Sequence, residues 1–187
     1  MNNNFIYIKD NFFSKKECEE IIKQFKNNLE EGPVHTGYLF KKLLLNNYVF
    51  NENFLIKFNK KFNKQLDIYK KTYPEINETA SYWGLNDLTF KQFDKGKFFS
   101  NFHSEHSLSH PNRLLSVQLY LTEHDCGTEF YKTKEVILSK IGRLAIFPAY
   151  FTHTHKGQKC PENKERFIIT GYISFINFGP NETHNNR

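Results

Sequence analysis

Residues 142–175 read GRLAIFPAYFTHTHKGQKCPENKERFIITGYISF. Two apolar runs, 142–147 and 166–175, are rich in Ile, Phe and Tyr and too short for typical helices. Between them lies a segment of Gly, Pro, Asn and Lys. This is the signature of strand, turn and strand. The same signature extends upstream through DLTFKQF (87–93), LLSVQLYL (114–121) and KEVIL (134–138). The C-terminal half therefore reads as an antiparallel sheet system, expected to be a double-sheet jelly roll.

The N-terminal half has a different period. FIYI (5–8) reads as a short strand, and Ser14 with Glu17 forms the S-x-x-E box that opens a helix. Cys18, Ile21, Ile22, Phe25 and Leu29 recur behind it at helical spacing, and Glu30, Glu31, Gly32 and Pro33 close it. A second helix is expected over residues 51–69, where Phe54, Phe58, Phe62, Leu66 and Tyr69 share one face suited to packing on a sheet. The predicted class is α+β: a double-stranded β-helix (jelly-roll) core with the N-terminal helices packed on one sheet. A length of 187 residues with 39% apolar content suits one domain, drawn as 1–176, with 177–187 as a tail that has little to bury.

Composition narrows the setting. No run approaches the roughly 20 apolar residues of a membrane span, and the opening MNNNFIYIKD lacks a leader pattern. A soluble, cytoplasmic protein is expected. Richness in Asn, Lys and Phe suggests an AT-rich genome, placing it in a bacterium or a virus-infected host cell. Cys18, Cys126 and Cys160 form no C-x-x-C pair and are expected as reduced thiols. The net charge of +6 allows nucleic acid as a partner but does not favour it, because the lysines are scattered as on a solvated surface.

The chemistry-bearing residues begin with His103-Ser104-Glu105. On an extended segment, side chains at i and i+2 point the same way, so an imidazole and a carboxylate can share one ion. With 8 histidines and 20 acids the H-x-[DE] pattern arises about once by chance, so it requires a second, distant histidine. His153 and His155 both supply one, on a segment where alternation would aim them to the same side. Two histidines and one carboxylate make the face used by non-haem iron(II) oxygenases. Arg166, opening the last strand, offers a planar fork for a carboxylate.

These stretches together resemble the prolyl 4-hydroxylase-type branch of the 2-oxoglutarate/iron(II) dioxygenases. IYIKDNFFSKKECEEIIKQF (6–25) is similar to its opening strand and helix, and KQFDKGKFFSNFHSEHS (91–107) to its first metal motif. LSVQLYLTEHDCGTEF (115–130) is similar to its central strand and Gly-Thr-x-Phe turn, and 142–157 with 166–175 to its distal histidine and basic residue. The resemblance implies Fe(II) held by His103, Glu105 and His155, the last preferred to His153 because it lies about ten residues before the basic residue and close to Gly157. It implies 2-oxoglutarate bound by Arg166 and Tyr120 with Thr170 in support, O2 as oxidant, and ascorbate as an accessory reductant. Hydroxylation of a prolyl residue in a protein or peptide would follow, with release of succinate and CO2. A nucleic-acid base or a small metabolite is the alternative substrate, and a non-catalytic jelly-roll binding protein the alternative role. No membrane partner is implied, and the protein is expected as a monomer or homodimer. The chain departs from the pattern in having Glu105 where Asp is commoner, and Phe93 where some relatives place a tyrosine. Residues 33–50 and 104–113 are the expected substrate-facing loops, with His106 and His110 as loop residues and not ligands.

Overall fold

A computed structural model describes residues 4–32, 40–45, 52–79, 82–161 and 163–176. The 177–187 tail and most of the 33–50 loop lie outside the described residues. Helix α1 (Lys15–Phe25) starts at Ser14, whose hydroxyl accepts the Glu17 amide at 3.2 Å while the Glu17 carboxylate accepts the Ser14 amide at 2.6 Å. This reciprocal pair satisfies two of the amides that a helix start leaves orphaned. Glu17 also meets Lys57 at 2.9 Å and Lys61 at 3.3 Å, which ties α1 to helix α2 (Glu52–Thr72). On α2, Phe54, Phe58 and Phe62 stack one turn apart, with centroids 5.8 Å apart at each step.

Among the described residues, ten strands form two antiparallel sheets. They are β1 (Tyr7–Lys9), β2 (Glu30–Glu31), β3 (Lys41–Leu44), β4 (Trp83–Phe93), β5 (Arg113–Tyr120), β6 (Gly127–Phe130), β7 (Val136–Leu138), β8 (Arg143–Pro148), β9 (His155–Gly157) and β10 (Arg166–Phe175). The larger sheet has the order β1-β8-β5-β10-β4-β3-β2, and the smaller β7-β6-β9. Alternation along the long strands divides their residues between two environments. Leu88 and Phe90 on β4, Leu115, Val117 and Leu119 on β5, Leu144 and Ile146 on β8, and Phe167, Ile169 and Ile173 on β10 pack with α1 and α2 in the main core. The opposite face carries Phe93, Tyr120, Ala145, Phe147 and Ile168, which meet Phe130 and Ile137 of the small sheet in a second cluster. A sheet with both faces covered needs near-continuous apolar strands, which accounts for the run RFIITGYISF.

Several boundaries differ from the sequence reading. Helix α1 ends at Phe25, followed by a 3-10 turn at Lys26–Asn28, and Glu30–Glu31 is a strand and not a helix end. Part of the supposed loop 33–50 is strand β3, paired to β4, and the supposed Gly-Thr-x-Phe turn is strand β6. Strands of two to four residues have too few side chains to show a period of two, so pairing alone reveals them.

The cysteines also require a correction. Cys126 and Cys160 form a disulfide, and Cys18 alone is a free, buried thiol. The pair is 34 residues apart in sequence. Backbone bonding of Gln158 to Gly127 brings the two loops together, which spacing along the chain could not reveal.

Candidate active site

The two sheets enclose a cavity of about 520 Å³. At one end, His103 and His155 face each other as an isolated antiparallel bridge, each amide donating to the other's carbonyl at 2.9 Å. This bridge places the imidazole centroids 4.5 Å apart. Glu105 comes from the same segment as His103, two residues on. Its Oε1 lies 3.2 Å from His103 Nε2 and 3.7 Å from His155 Nε2. One donor atom from each of the three side chains falls within 4.8 Å of the others, a group that could hold a metal ion.

Tautomers sharpen this assignment. His103 Nδ1 lies 3.1 Å from the Asn101 carbonyl, and His155 Nδ1 lies 2.9 Å from the His153 carbonyl. A nitrogen facing a carbonyl must carry the proton, so both Nε2 lone pairs point at the Glu105 carboxylate. With both rings neutral the three groups converge as acceptors, and a cation satisfies all three. Burial, then the neighbouring His103, push the His155 imidazole down to about 4, so it is neutral and ready to ligate at physiological pH. Burial alone would raise the Glu105 carboxyl, but the His103 hydrogen bond and the nearby positive charge outweigh it and hold the group well below the usual carboxylate range. The outer oxygen, Oε2, accepts a hydrogen bond from Arg113 Nη1 at 3.2 Å.

Sequence reasoning put His153 and His155 on one strand face, and the structure does not. His153 ends a 3-10 turn, Phe151–His153, with its Nε2 2.6 Å from the Asn4 carbonyl and its Nδ1 2.9 Å from the Thr152 hydroxyl. Only His155 belongs to the metal-type group. His106 stacks on Tyr150, and His110 lines the cavity without joining the cluster.

At the other end stands Arg166. It is 5% exposed, its guanidinium carbon lies 4.5 Å over the Phe93 ring, and its Nη1 donates to the Gln158 carbonyl at 3.3 Å. The same Nη1 touches Cys126 Sγ at 3.5 Å and Cys160 Sγ at 3.6 Å. Its Nε is buried without a hydrogen-bond partner, and no carboxylate among the described residues pairs with it. Among the described residues Arg166 makes no strand-end ion pair, and a guanidinium buried in this way favours an anion beside it. The unsatisfied N–H is a donor open to an anionic ligand in the cavity. Gly157 keeps the approach open, since a Cβ there would come within 3.3 Å of Arg166 Nη2 and 3.4 Å of the Phe99 backbone.

Tyr120 lies between the two ends. Burial pushes its phenol up to about 12, so it remains a donor at neutral pH. Its hydroxyl is 2.7 Å from the Thr128 hydroxyl and 2.9 Å from Gln118 Oε1, and Thr170 lines the same wall. Gln118 and Thr128 were not singled out from sequence. Both follow from alternation, since Gln118 precedes Tyr120 by two residues on β5 and Thr128 sits opposite on β6. Lys42, Lys91, Arg113 and Tyr172, also in the wall, were likewise missed.

No family model and no curated protein matches the chain. Solved structures do. The viral collagen prolyl hydroxylase of Paramecium Bursaria Chlorella virus-1, in a 2-oxoglutarate complex, superposes with a TM-score of 0.72 at 18% identity, covering 94% of this chain and 98% of that one. A prolyl hydroxylase from Trichoplax adhaerens, in complex with a hypoxia inducible factor peptide fragment, gives 0.67 at 14% identity, with 93% and 85% covered. A 2OG-Fe(II) oxygenase family protein from Burkholderia pseudomallei gives 0.67 at 15% identity, with 94% and 87% covered. The chain has the fold shared by the prolyl hydroxylases and the 2OG-Fe(II) oxygenases.

Proposed function

We propose that the protein is a 2-oxoglutarate- and Fe(II)-dependent dioxygenase that hydroxylates a prolyl residue of a protein or peptide, releasing succinate and CO2. One observation carries this reading: the inward-facing His103, Glu105 and His155 share a cavity with a buried guanidinium that has no acid partner among the described residues. Residues 1–176 form one catalytic domain in this reading, and the two sheets are the halves of a double-stranded β-helix. The peptide held by the Trichoplax relative supports a peptide substrate here.

When bound, iron and 2-oxoglutarate would supply an oxidative decarboxylation driven by O2, one oxygen atom of which ends in succinate and the other on the substrate. The chain does the rest. His103 and His155 present Nε2 lone pairs, fixed by carbonyls behind their Nδ1 protons, and Glu105 completes the face while Arg113 orients its outer oxygen. Arg166 and the Tyr120 hydroxyl hold the distal carboxylate of the co-substrate, with Thr170 beside them. Phe93, Phe99 and Ile168 exclude water along the wall. Glu105 retains a carboxylate on the metal face, which suits hydroxylation and leaves no vacancy for a halide. Ascorbate would serve as an accessory reductant.

The test is anaerobic titration of apoprotein with Fe(II) and 2-oxoglutarate, watching for the visible metal-to-ligand charge-transfer band, followed by admission of air. The band and succinate are expected. Absence of both would leave a binding protein on the same fold.

A further inference from the structure

The cavity wall carries charge that neither the metal group nor Arg166 accounts for. Strands β3 and β4 pair with Lys42 directly opposite Lys91, and both side chains line the cavity. Like charges opposed across a ladder repel and are destabilising. The reverse face of these strands shows how this chain ordinarily handles such charge. There Lys41 meets Asp94 at 3.5 Å, Lys26 meets Glu165 at 3.1 Å, and Gln92 donates to both acids.

On the cavity side the acids are already engaged. Asp87 and Glu105 are the two carboxylates in the wall, and Arg113 reaches both, at 3.6 Å and 3.2 Å. The other oxygen of Glu105 faces the histidines. Among the described residues no carboxylate pairs with Lys42 or Lys91. Lys91 Nζ lies 5.0 Å from the centroid of the Phe40 ring and feels the Glu105 charge through space without forming an ion pair with it. Loading the site does not correct the imbalance. A divalent ion and doubly charged 2-oxoglutarate cancel each other, leaving Lys42, Lys91, Arg113 and Arg166 against two carboxylates.

We propose that Lys42 and Lys91 form a seat for a carboxylate carried by the substrate, beside the metal face and opposite the Arg166 end. This deepens the dioxygenase reading and rests on it. The substrate is then an acidic molecule: a peptide with an acidic residue next to the oxidised one, or a free amino acid binding through its own carboxylate. Both offer the same chemistry to the two ammonium groups, and a neutral collagen-like repeat does not.

Two matched pairs test this on the Fe(II)- and 2-oxoglutarate-loaded protein under nitrogen, by titration calorimetry: acetyl-Glu-Pro-Gly-amide against acetyl-Gln-Pro-Gly-amide, and L-proline against L-prolinamide. The acid is expected to bind about tenfold or more tightly than its neutral twin in one pair, and that pair identifies the source of the carboxylate. In Lys91→Gln the advantage should fall below about twofold, with the charge-transfer band unchanged. A second readout needs no ligand: Lys91→Gln, freed of the repulsion from Lys42, should melt no lower than wild type without substrate. Twins that do not differ in either pair, absence of binding included, overturn the proposal, as does an advantage that survives in Lys91→Gln or a marked fall in melting temperature. If these failures come with an intact wild-type band, the carboxylate seat falls alone. A missing wild-type band removes the dioxygenase reading and the seat with it.

Discussion

Replacing Arg166 with Met separates the co-substrate role from structure. The guanidinium is 5% exposed, has no acid partner among the described residues, and leaves Nε unsatisfied. Removing a buried charge that nothing compensates is neutral or stabilising, and Met keeps much of the side-chain length. Against this, the Gln158 carbonyl loses its donor, at roughly 1–3 kcal/mol. The two effects nearly cancel, so the apoprotein should melt within a few degrees of wild type. Co-substrate binding should not be spared. Two charge-assisted hydrogen bonds to a carboxylate contribute roughly 1.5–3 kcal/mol each, and Tyr120 and water recover part of the loss. A net cost of about 2–4 kcal/mol corresponds to roughly 30- to 1,000-fold weaker binding at 1.4 kcal/mol per decade. The assay is charge-transfer band amplitude against 2-oxoglutarate concentration, with Fe(II) held saturating. The band should return at high 2-oxoglutarate, because the metal face is intact. An affinity within threefold of wild type would refute the role. So would a melting temperature more than about 10 °C lower, which would make Arg166 a structural tie to the Cys126–Cys160 loops.

Other substitutions probe the remaining links. His155→Ala should abolish the band, while His153→Ala, which loses only the Asn4 and Thr152 contacts, should keep it at near-normal Fe(II) affinity. Phe58→Ala removes a fully buried ring in contact with Phe12, Phe13, Phe54 and Phe62, and should lower stability by about 3–5 kcal/mol in urea unfolding with little change in slope. For Glu17, burial works to raise the carboxyl, but the Ser14 amide, Lys57, the Ser14 hydroxyl and Lys61 outweigh it and bring the group down to about 2 from an ordinary 4.5. A carboxyl depressed by folding contributes stability in full above its unfolded value and loses it as pH falls towards the folded one. Stability measured between pH 4.5 and 2 should therefore fall less steeply in Glu17→Gln than in wild type.

What could be read in advance followed from periodicity and local bonding. The Ser14–Glu17 box needs only its own four residues, and the Phe54–Phe58–Phe62 ladder is a helical stripe whatever it packs on. β10 spans residues 166–175 as read, because both its faces are buried and its apolar run is continuous. The three donor side chains of the metal-type group and Arg166 could be named because each sits in a motif. Alternation aimed both His153 and His155 at the metal and could not choose between them, since residues 151–153 form a 3-10 turn where the period of two does not apply; the spacing to Arg166 and Gly157 in the family pattern favoured His155. The disulfide depends on two loops meeting through a strand pairing, which no local pattern encodes.

Charge follows a different logic from shape. Alternation on β4 would have put Lys91 on the same face as Thr89 and Phe93, and nothing in the sequence prevented that step. It could not show whether an acid waits on that face. A lysine among scattered lysines reads as solvated, and for Lys26, Lys41, Lys57 and Lys61 that reading is close, because each meets a carboxylate at a partly exposed site. Surface pairs of this kind contribute little and specify little. The same residue type turned through the sheet into a walled cavity, with Asp87 and Glu105 already held by Arg113, becomes an unmet demand for negative charge. Function here is written less in which residues are present than in which partners the fold has withheld from them. In the proposed reading, Arg166 and the Lys42–Lys91 pair, without acid partners among the described residues, would each take an anion, one from the co-substrate and one from the substrate.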